Sequence, residues 1–393
     1  MIFDYYWLEL IWWGLIVFVL VLYGTTAGHD FGITILMPFE SKHKDFSKDD
    51  VSRRTMLNTI APTWDGNQTW LVFAGGCLFG VWSSVYATVF SGLYPALLLV
   101  LFSFFLRPPG FDFRGKLPSK GWRVFWDWSL FISAFFPVIA FGLLIGNLFE
   151  GLPFMHDPFY MQMTYYGSVW ELLNVFGIIS ALMGLCMVLM QGGIHLNRRV
   201  DGELGVKYRN VFYIFGIGFL VFVTIALLMI AYSIKGLVPI DAMANPDSYN
   251  TPAKLVTGGW LNNYYNYPGL WAFPACVYGG VILAMIFAPK VKWLAFWCSS
   301  IAIACLLISA GLALFPYLVP SQFTSDTVTF GQQSLTVWNS SAKAYTLMGL
   351  IYICVPPIIV FAFWSKIAGM FAIWKDRPSI DASDVEKNDH VYY

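Results

Sequence analysis

The residues best equipped for chemistry sit in one stretch, Asn58-Thr59-Ile60-Ala61-Pro62-Thr63-Trp64-Asp65-Gly66-Asn67-Gln68-Thr69-Trp70. A carboxylic acid, three carboxamides and two indoles stand at the mouth of an apolar run that continues from Leu71 to Trp82. A carboxylate at membrane depth costs roughly 2.5–3.5 kcal/mol on insertion scales, so it persists where it faces protein, water or a proton path. Read as one continuous helix, the stretch places Asn58, Gln68 and Thr69 within about 60° of Asp65 on one face. That face can hydrogen-bond the carboxyl group or hold water beside it. Two readings follow: a carboxyl that handles protons, or a satisfied polar cluster at a helix end near the headgroups.

A second carboxylate, Asp30, lies within the first long apolar run, with His29 beside it. Tyr23, Thr26 and Asp30 share one helical face, and Gly24, Gly28 and Gly32 form a neighbouring row where another helix can approach closely. Packing explains the glycines; Asp30 calls for a functional or partner-pairing role. His29 reads as a polar neighbour rather than a metal ligand. Arg107 closes a later run, Leu106-Arg107-Pro108-Pro109-Gly110. It either snorkels to the interface or pairs with a buried carboxylate, and the prolines are expected to stop the helix.

These residues need membrane helices to position them. Of the 393 residues, 58% are hydrophobic and 12% charged; a soluble domain carries about 25% charged residues. The chain therefore reads as an all-α polytopic membrane protein. The apolar runs predict about nine spans: Leu8–Leu36, Leu57–Trp82, Tyr86–Leu106, Trp122–Leu148, Val169–Gln191, Val211–Ile234, Leu270–Ala288, Trp293–Leu318 and Thr346–Trp374. Residues 1–375 make a single integral membrane domain, and 376–393 a polar, mobile cytoplasmic tail. With the N-terminus outside, twenty of the 23 basic residues fall on the inner side; Lys235, Lys254 and Lys343 are the exceptions. That bias supports both the span count and an inner C-terminus. The outer stretches Lys235–Gly269 and Val319–Ala344 read as ordered caps.

Other classes find little support. Net charge is zero, which gives no electrostatic case for nucleic acid. There is no P-loop, dinucleotide fingerprint, metalloprotease motif or nucleophile elbow. All six cysteines lie in apolar runs without a CxxC pair and read as small buried hydrophobes. Met1–Leu8 has no basic segment, so no cleavable signal peptide is expected. Of the five histidines only His29 lies well inside a span, and His195 sits at an inner helix end, so no haem is expected on this chain alone. A secondary transporter would show matching Gly/Pro-interrupted half-helices, and no clear pair is seen. A purely structural membrane partner is the other alternative.

The motifs also carry a resemblance. Ile60-Ala61-Pro62, Trp64-Asp65-Gly66-Asn67-Gln68 and Trp70 resemble the signature of subunit II of cytochrome bd-type quinol oxidases. Nearly end to end, Ile11-Trp12-Trp13, Gly28-His29-Asp30-Phe31-Gly32, Arg107-Pro108-x-Gly110-Phe111-Asp112, Trp126-Asp127-Trp128, Gly146-Asn147, Phe315-Pro316 and Ser334-Leu335-Thr336-x-Trp338 agree. The resemblance implies two four-helix bundles plus one extra helix in the bacterial cytoplasmic (inner) membrane. It implies a partner, subunit I, carrying low-spin haem b, high-spin haem b and haem d. A small single-helix subunit is a further possible partner. The complex would oxidise ubiquinol or menaquinol, reduce oxygen to water and build proton-motive force without pumping; this chain alone would not be catalytic. By residue type, Asp65 matches the family's proton-route carboxylate, Asp30 the carboxylate of its Gly-x-Asp-x-Gly motif and Arg107 its Arg-Pro motif; with Asn58, Gln68 and Thr69, which helical phase places beside Asp65, the two carboxylates make the expected proton route. An apolar oxygen route is also implied. Ala27 stands where many members have a second acidic residue, and His29 where an apolar residue is usual.

Overall fold

The computed structural model describes residues 4–40, 46–157, 162–239, 253–322, 333–368, 380 and 385. Asp4 caps the first helix, α1 (Tyr5–Leu36), accepting the Tyr5 N–H at 2.7 Å. The chain continues through α2 (Phe46–Ile60), α3 (Trp64–Val81), α4 (Ser83–Gly92), α5 (Tyr94–Phe105), α6 (Arg107–Phe113) and α7 (Lys120–Glu150). Then come α8 (Val175–Arg199), α9 (Gly202–Tyr232), α10 (Asn262–Asn266), α11 (Ala272–Phe287), α12 (Lys292–Leu314) and α13 (Ala344–Ala368). Ser119 and Asn174 cap α7 and α8 by accepting the N–H groups of Trp122 and Gly177.

Among the described residues, seven helical segments are long and apolar enough to cross a membrane. The bent pair α3–α4 adds an eighth, and the shorter apolar stretch Ala344–Val360 within α13 brings the total to about nine. The protein is thus a multi-pass membrane protein. Helices α1, α3, α5 and α7 pack as one group, and α8, α9, α11 and α12 as a second. The two groups join where α1 crosses α8, and α13 lies against α1 and α3. A Cβ on Gly32 would stand 1.9 Å from the Val188 carbonyl oxygen of α8, and one on Gly192 2.8 Å from the Gly32 backbone. The glycines therefore let two backbones touch where any side chain would separate them.

Two expected spans are corrected. Leu57–Trp82 is not one helix: α2 ends at Ile60, Ala61–Thr63 form a turn, and α3 starts at Trp64. Pro62 has no N–H for the helical ladder, and its ring would clash with the carbonyl four residues back. Tyr86–Leu106 is also broken. Helix α4 bends 119° away from α3, and α5 restarts with Pro95 in its first turn. Pro108 and Pro109 do not stop the chain's helicity; they sit in the first turn of α6, where a missing N–H does no harm. Smaller shifts follow the same logic. A 3-10 turn, Val169–Leu173, precedes α8, which runs on to Arg199. Helix α12 ends at Leu314 because a strand begins at Tyr317. Positions 369–374 of the last expected span lie outside the described residues.

Three short antiparallel ladders cap the end of the bundle that holds Tyr5. They are β1 (Phe154–Asp157) with β2 (Gln162–Tyr165), β3 (Lys235–Pro239) with β4 (Ala253–Thr257), and β5 (Tyr317–Val319) with β6 (Leu335–Thr336). Trp82 and Trp260 pin these caps to the helices through indole N–H bonds to Val337 O (3.2 Å) and Phe149 O (2.8 Å).

The opposite end is closed by buried charge. Arg53 donates to Asp127 Oδ2 at 3.1 Å and to Glu40 O at 3.0 Å. Arg114 bonds Asp127 and, at 2.9 Å, Asp50 Oδ1; Arg123 completes the set on Asp50. Glu40 also accepts from Lys207 Nζ at 2.7 Å and from the Tyr208 hydroxyl. Burial works against the Arg114 cation, but the Asp127 and Asp50 carboxylates outweigh it and raise its pKa above the ordinary arginine value. Of the expected mobile tail, the Ile380 N–H donates to Arg199 O at 2.8 Å and Val385 is buried. Those two positions are docked; the remaining tail residues lie outside the described set.

Candidate functional site

The face of α1 that carries Tyr23, Thr26 and Asp30 meets the first turns of α3. Asn67 Nδ2 donates to Asp30 Oδ2 at 2.8 Å and to Thr26 O at 3.3 Å. The Tyr23 hydroxyl donates to Gln68 Oε1 at 3.3 Å. Asn67 is held in place because its own N–H closes the first turn of α3 on Thr63 O at 3.0 Å. Asp30 is fully buried. A carboxyl group so placed must be satisfied by neighbours, and Asn67 supplies one direct donor.

Asp30 has a second neighbour on its own helix. His29 Nε2 lies 3.3 Å from Asp30 Oδ1, while His29 Nδ1 faces the Thr25 carbonyl at 3.5 Å. The imidazole stacks on His195 of α8, with centroids 4.2 Å apart and planes 7° from parallel. Phe296 of α12 meets both rings edge-on.

Arg107 does not snorkel. It is 1% exposed, and its guanidinium lies 4.8 Å from the Phe31 ring, 5.7 Å from Phe111 and 5.8 Å from Trp64. Trp64 itself stacks on Phe111 at 4.6 Å. The chain past Arg107 forms α6, and Phe111 from that helix covers the guanidinium. Nε, Nη1 and Nη2 have no hydrogen-bond partner among the described residues. Burial works against the charge, and the Asp30 carboxyl offsets that only in part through space, together with the π faces of the aromatic cage.

The expected face of Asp65, Asn58, Gln68 and Thr69 is not formed. The turn at Pro62 puts Asn58 on α2, buried, with its Oδ1 unpartnered. Gln68 turns towards Tyr23 and is half-buried. Asp65 and Thr69 are exposed, and the Thr69 hydroxyl bonds the Asp65 carbonyl rather than its carboxyl. Asp65, Thr69, Val72, Gly76 and Phe79 make one exposed stripe along α3. The structure therefore brings together Asp30, Asn67, Gln68, Tyr23, His29 and His195, with Arg107 as a nearby charge, and leaves Asp65 on the surface.

Three of these were missed or underweighted in sequence. Asn67 sat inside the motif, but its phase pointed away from Asp65. Tyr23 was placed on the right face without a partner. His195 gave no local signal, because its stacking partner lies on another helix. Among the described residues no three His, Cys, Asp or Glu side chains are grouped to hold a metal ion.

A family model described as "Cytochrome bd terminal oxidase subunit II" matches residues 8–367. "Cytochrome bd-I ubiquinol oxidase subunit 2" of Escherichia coli (strain K12) is 37% identical over 401 aligned positions, covering 99% of this chain and 100% of the relative. "Probable cytochrome oxidase subunit 2" of Haemophilus influenzae is also 37% identical, over 397 positions, with the same coverage. In three dimensions the chain is similar to a chain of the bd oxidase from Geobacillus thermodenitrificans. The TM-score is 0.66 at 12% identity, covering 92% of this chain and 97% of the other, a likeness of fold.

Proposed function

Because this chain belongs to the cytochrome bd terminal oxidase subunit II family, we propose that it braces a haem-bearing subunit I in the bacterial cytoplasmic membrane and feeds protons towards that partner. Membership of a subunit II family implies a subunit I, and the complex implies haem. Haems b and d on the partner would supply the electron transfer and oxygen chemistry for quinol oxidation. The residues of this chain hold and pass protons; catalysis needs both subunits.

The observation that carries this reading is the position of Asp65. It stands on the exposed stripe of α3, and two residues on, in the same turn, Asn67 points inward to buried Asp30. A carboxylate on a lipid-facing stripe costs several kcal/mol, whereas one facing a protein partner or water does not. The stripe Asp65–Thr69–Val72–Gly76–Phe79 is thus the surface offered to subunit I, with Asp65 as the proton exit and Asp30 as the interior station. Tyr23, Asn67 and Gln68 link the two sides of α3, and Arg107 offsets the buried negative charge. Asn58 lies at the entry side, on α2.

A proton donor must lose and regain a proton, which an amide cannot do. Asp65→Asn should assemble with full haem content while steady-state quinol oxidation falls, and Asp65→Glu should retain more activity. Parental turnover in a fully assembled Asp65→Asn complex would leave Asp65 with a structural role only.

A further inference from the structure

The cysteines have no part in the route as described, and two of them meet at the edge of the second helix group. Cys276 of α11 is exposed, against the expectation that all six are buried, and Cys305 of α12 is buried beside it. The Cys305 thiol hydrogen-bonds the Cys276 sulfur. We propose that Cys276 and Cys305 are a dithiol redox site, oxidised to a disulfide by a quinone dissolved in the bilayer. The site is independent of the proton-route reading.

The backbone brings the pair within bridging range. Helices α11 and α12 form a hairpin, closed where the Lys290 and Val291 N–H groups both bond Phe287 O, so they run antiparallel. Ala284, Ala295 and Ala302 are buried in their contact. A Cβ on Gly280 would stand 3.0 Å from the Ala302 Cβ and 2.8 Å from the Cys298 carbonyl oxygen. A disulfide asks for Cβ atoms roughly 3.5–4.5 Å apart. Cys276 lies one turn before Gly280, and Cys305 one turn after Ala302. In an antiparallel pair those positions share a level, where the two backbones still run close.

The position of Cys276 selects the oxidant. It shares the outward side of α11 with Leu283 and Ile286, both exposed, and Ile301 of α12 is exposed on the same hairpin. On a membrane-spanning helix such an apolar face meets lipid. A water-soluble oxidant does not reach it. A quinone, apolar and able to take two electrons, does, and quinones oxidise protein dithiols. In the step two S–H bonds break and one S–S bond forms. Two electrons and two protons pass to the quinone, which leaves as quinol. Cys77 of α3 and Cys354 of α13 also make a thiol–thiol hydrogen bond. Neither of those sulfurs belongs to an exposed residue, so that pair is expected to stay reduced.

The test uses the assembled oxidase in its membrane, reduced, washed free of reductant and treated with a short-chain ubiquinone analogue without oxygen. Free thiols are then counted by alkylation under denaturing conditions, and linked peptides are mapped by mass spectrometry. The chain starts with six free thiols. The expected result is the loss of two, with Cys276 joined to Cys305 and with Cys77 and Cys354 both alkylated. Cys276→Ala and Cys305→Ala should each lose no thiol to the quinone. A parent that keeps all six thiols overturns the proposal. So does quinone attached to Cys276 alone, which would make it a single reactive thiol. Equal oxidation of Cys77 and Cys354 overturns selection by the bilayer-facing sulfur. Should an alanine variant fail to assemble, the peptide map of the parent decides, since it needs no substitution.

Discussion

Asn67 Nδ2 lies 2.8 Å from Asp30 Oδ2, so the amide of the Trp-Asp-Gly-Asn-Gln motif, not its carboxylate, meets the buried acid of α1. The motif does two jobs from one helical turn. Asn67 satisfies an interior carboxyl group, and Asp65 faces outward.

Removing that amide leaves Asp30 without its one direct donor from another helix. Asn67→Ala is expected to destabilise the chain by about 1–3 kcal/mol, the cost of an unsatisfied buried polar group. Thermal unfolding of the purified complex measures this. Asn67→Gln, which keeps the amide, should recover part of the loss.

The buried ionic net gives an effect at least as large. Asp127 bonds both Arg53 and Arg114, and Asp127→Ala takes a carboxylate from two buried cations at once. Because Arg114 keeps Asp50 and Arg53 keeps the Glu40 carbonyl, the expected loss is up to about 3 kcal/mol, seen as a lower unfolding temperature or a lower yield of assembled protein. The half-exposed pair Lys292–Asp201 makes the contrast. Lys292→Ala should change stability by less than about 1 kcal/mol.

The helix crossing separates two glycines of one row. A Cβ at Gly32 would strike the α8 backbone, whereas one at buried Gly28 would meet nothing within 4 Å. Gly32→Ala should force α1 and α8 apart and reduce assembly, and Gly28→Ala should be tolerated. Haem content per purified complex distinguishes them.

The charge bias predicts sidedness. A reporter fused after Tyr393 and one inserted within Asn245–Thr257 should report opposite sides of the membrane, with the N-terminus outside. Same-side signals would mean that the spans between them are miscounted by an odd number.

Much of the frame was legible because apolar runs and positive charge are local or summed properties. About nine spans and the Tyr23–Thr26–Asp30 face follow from periodicity in an unbroken helix. Helical phase failed at Pro62, where continuity was assumed through a residue that cannot continue the ladder. It failed again at Asp65 and Asn67. Phase says that the two point apart, but the side on which α1 lies is a tertiary fact. The burial of Arg107 was hidden for a similar reason. Its cover comes from Phe111 on a helix begun by the very prolines expected to end one. The ring stack of His29 on His195 joins separate helices, and no spacing encodes it.

Most of the ionic net is internal to the first group of helices. Its charges come from Asp50 and Arg53 on α2, Arg114 after α6, and Asp127 on α7. These four precede the second group of helices in the chain, whereas Lys207 and Tyr208 of α9 reach Glu40 from within that group. That first part of the net can therefore close as soon as α7 has left the ribosome and entered the bilayer. The surface that α8 packs on, where Gly192 meets Gly32, thus belongs to a group of helices tied together by its own charges.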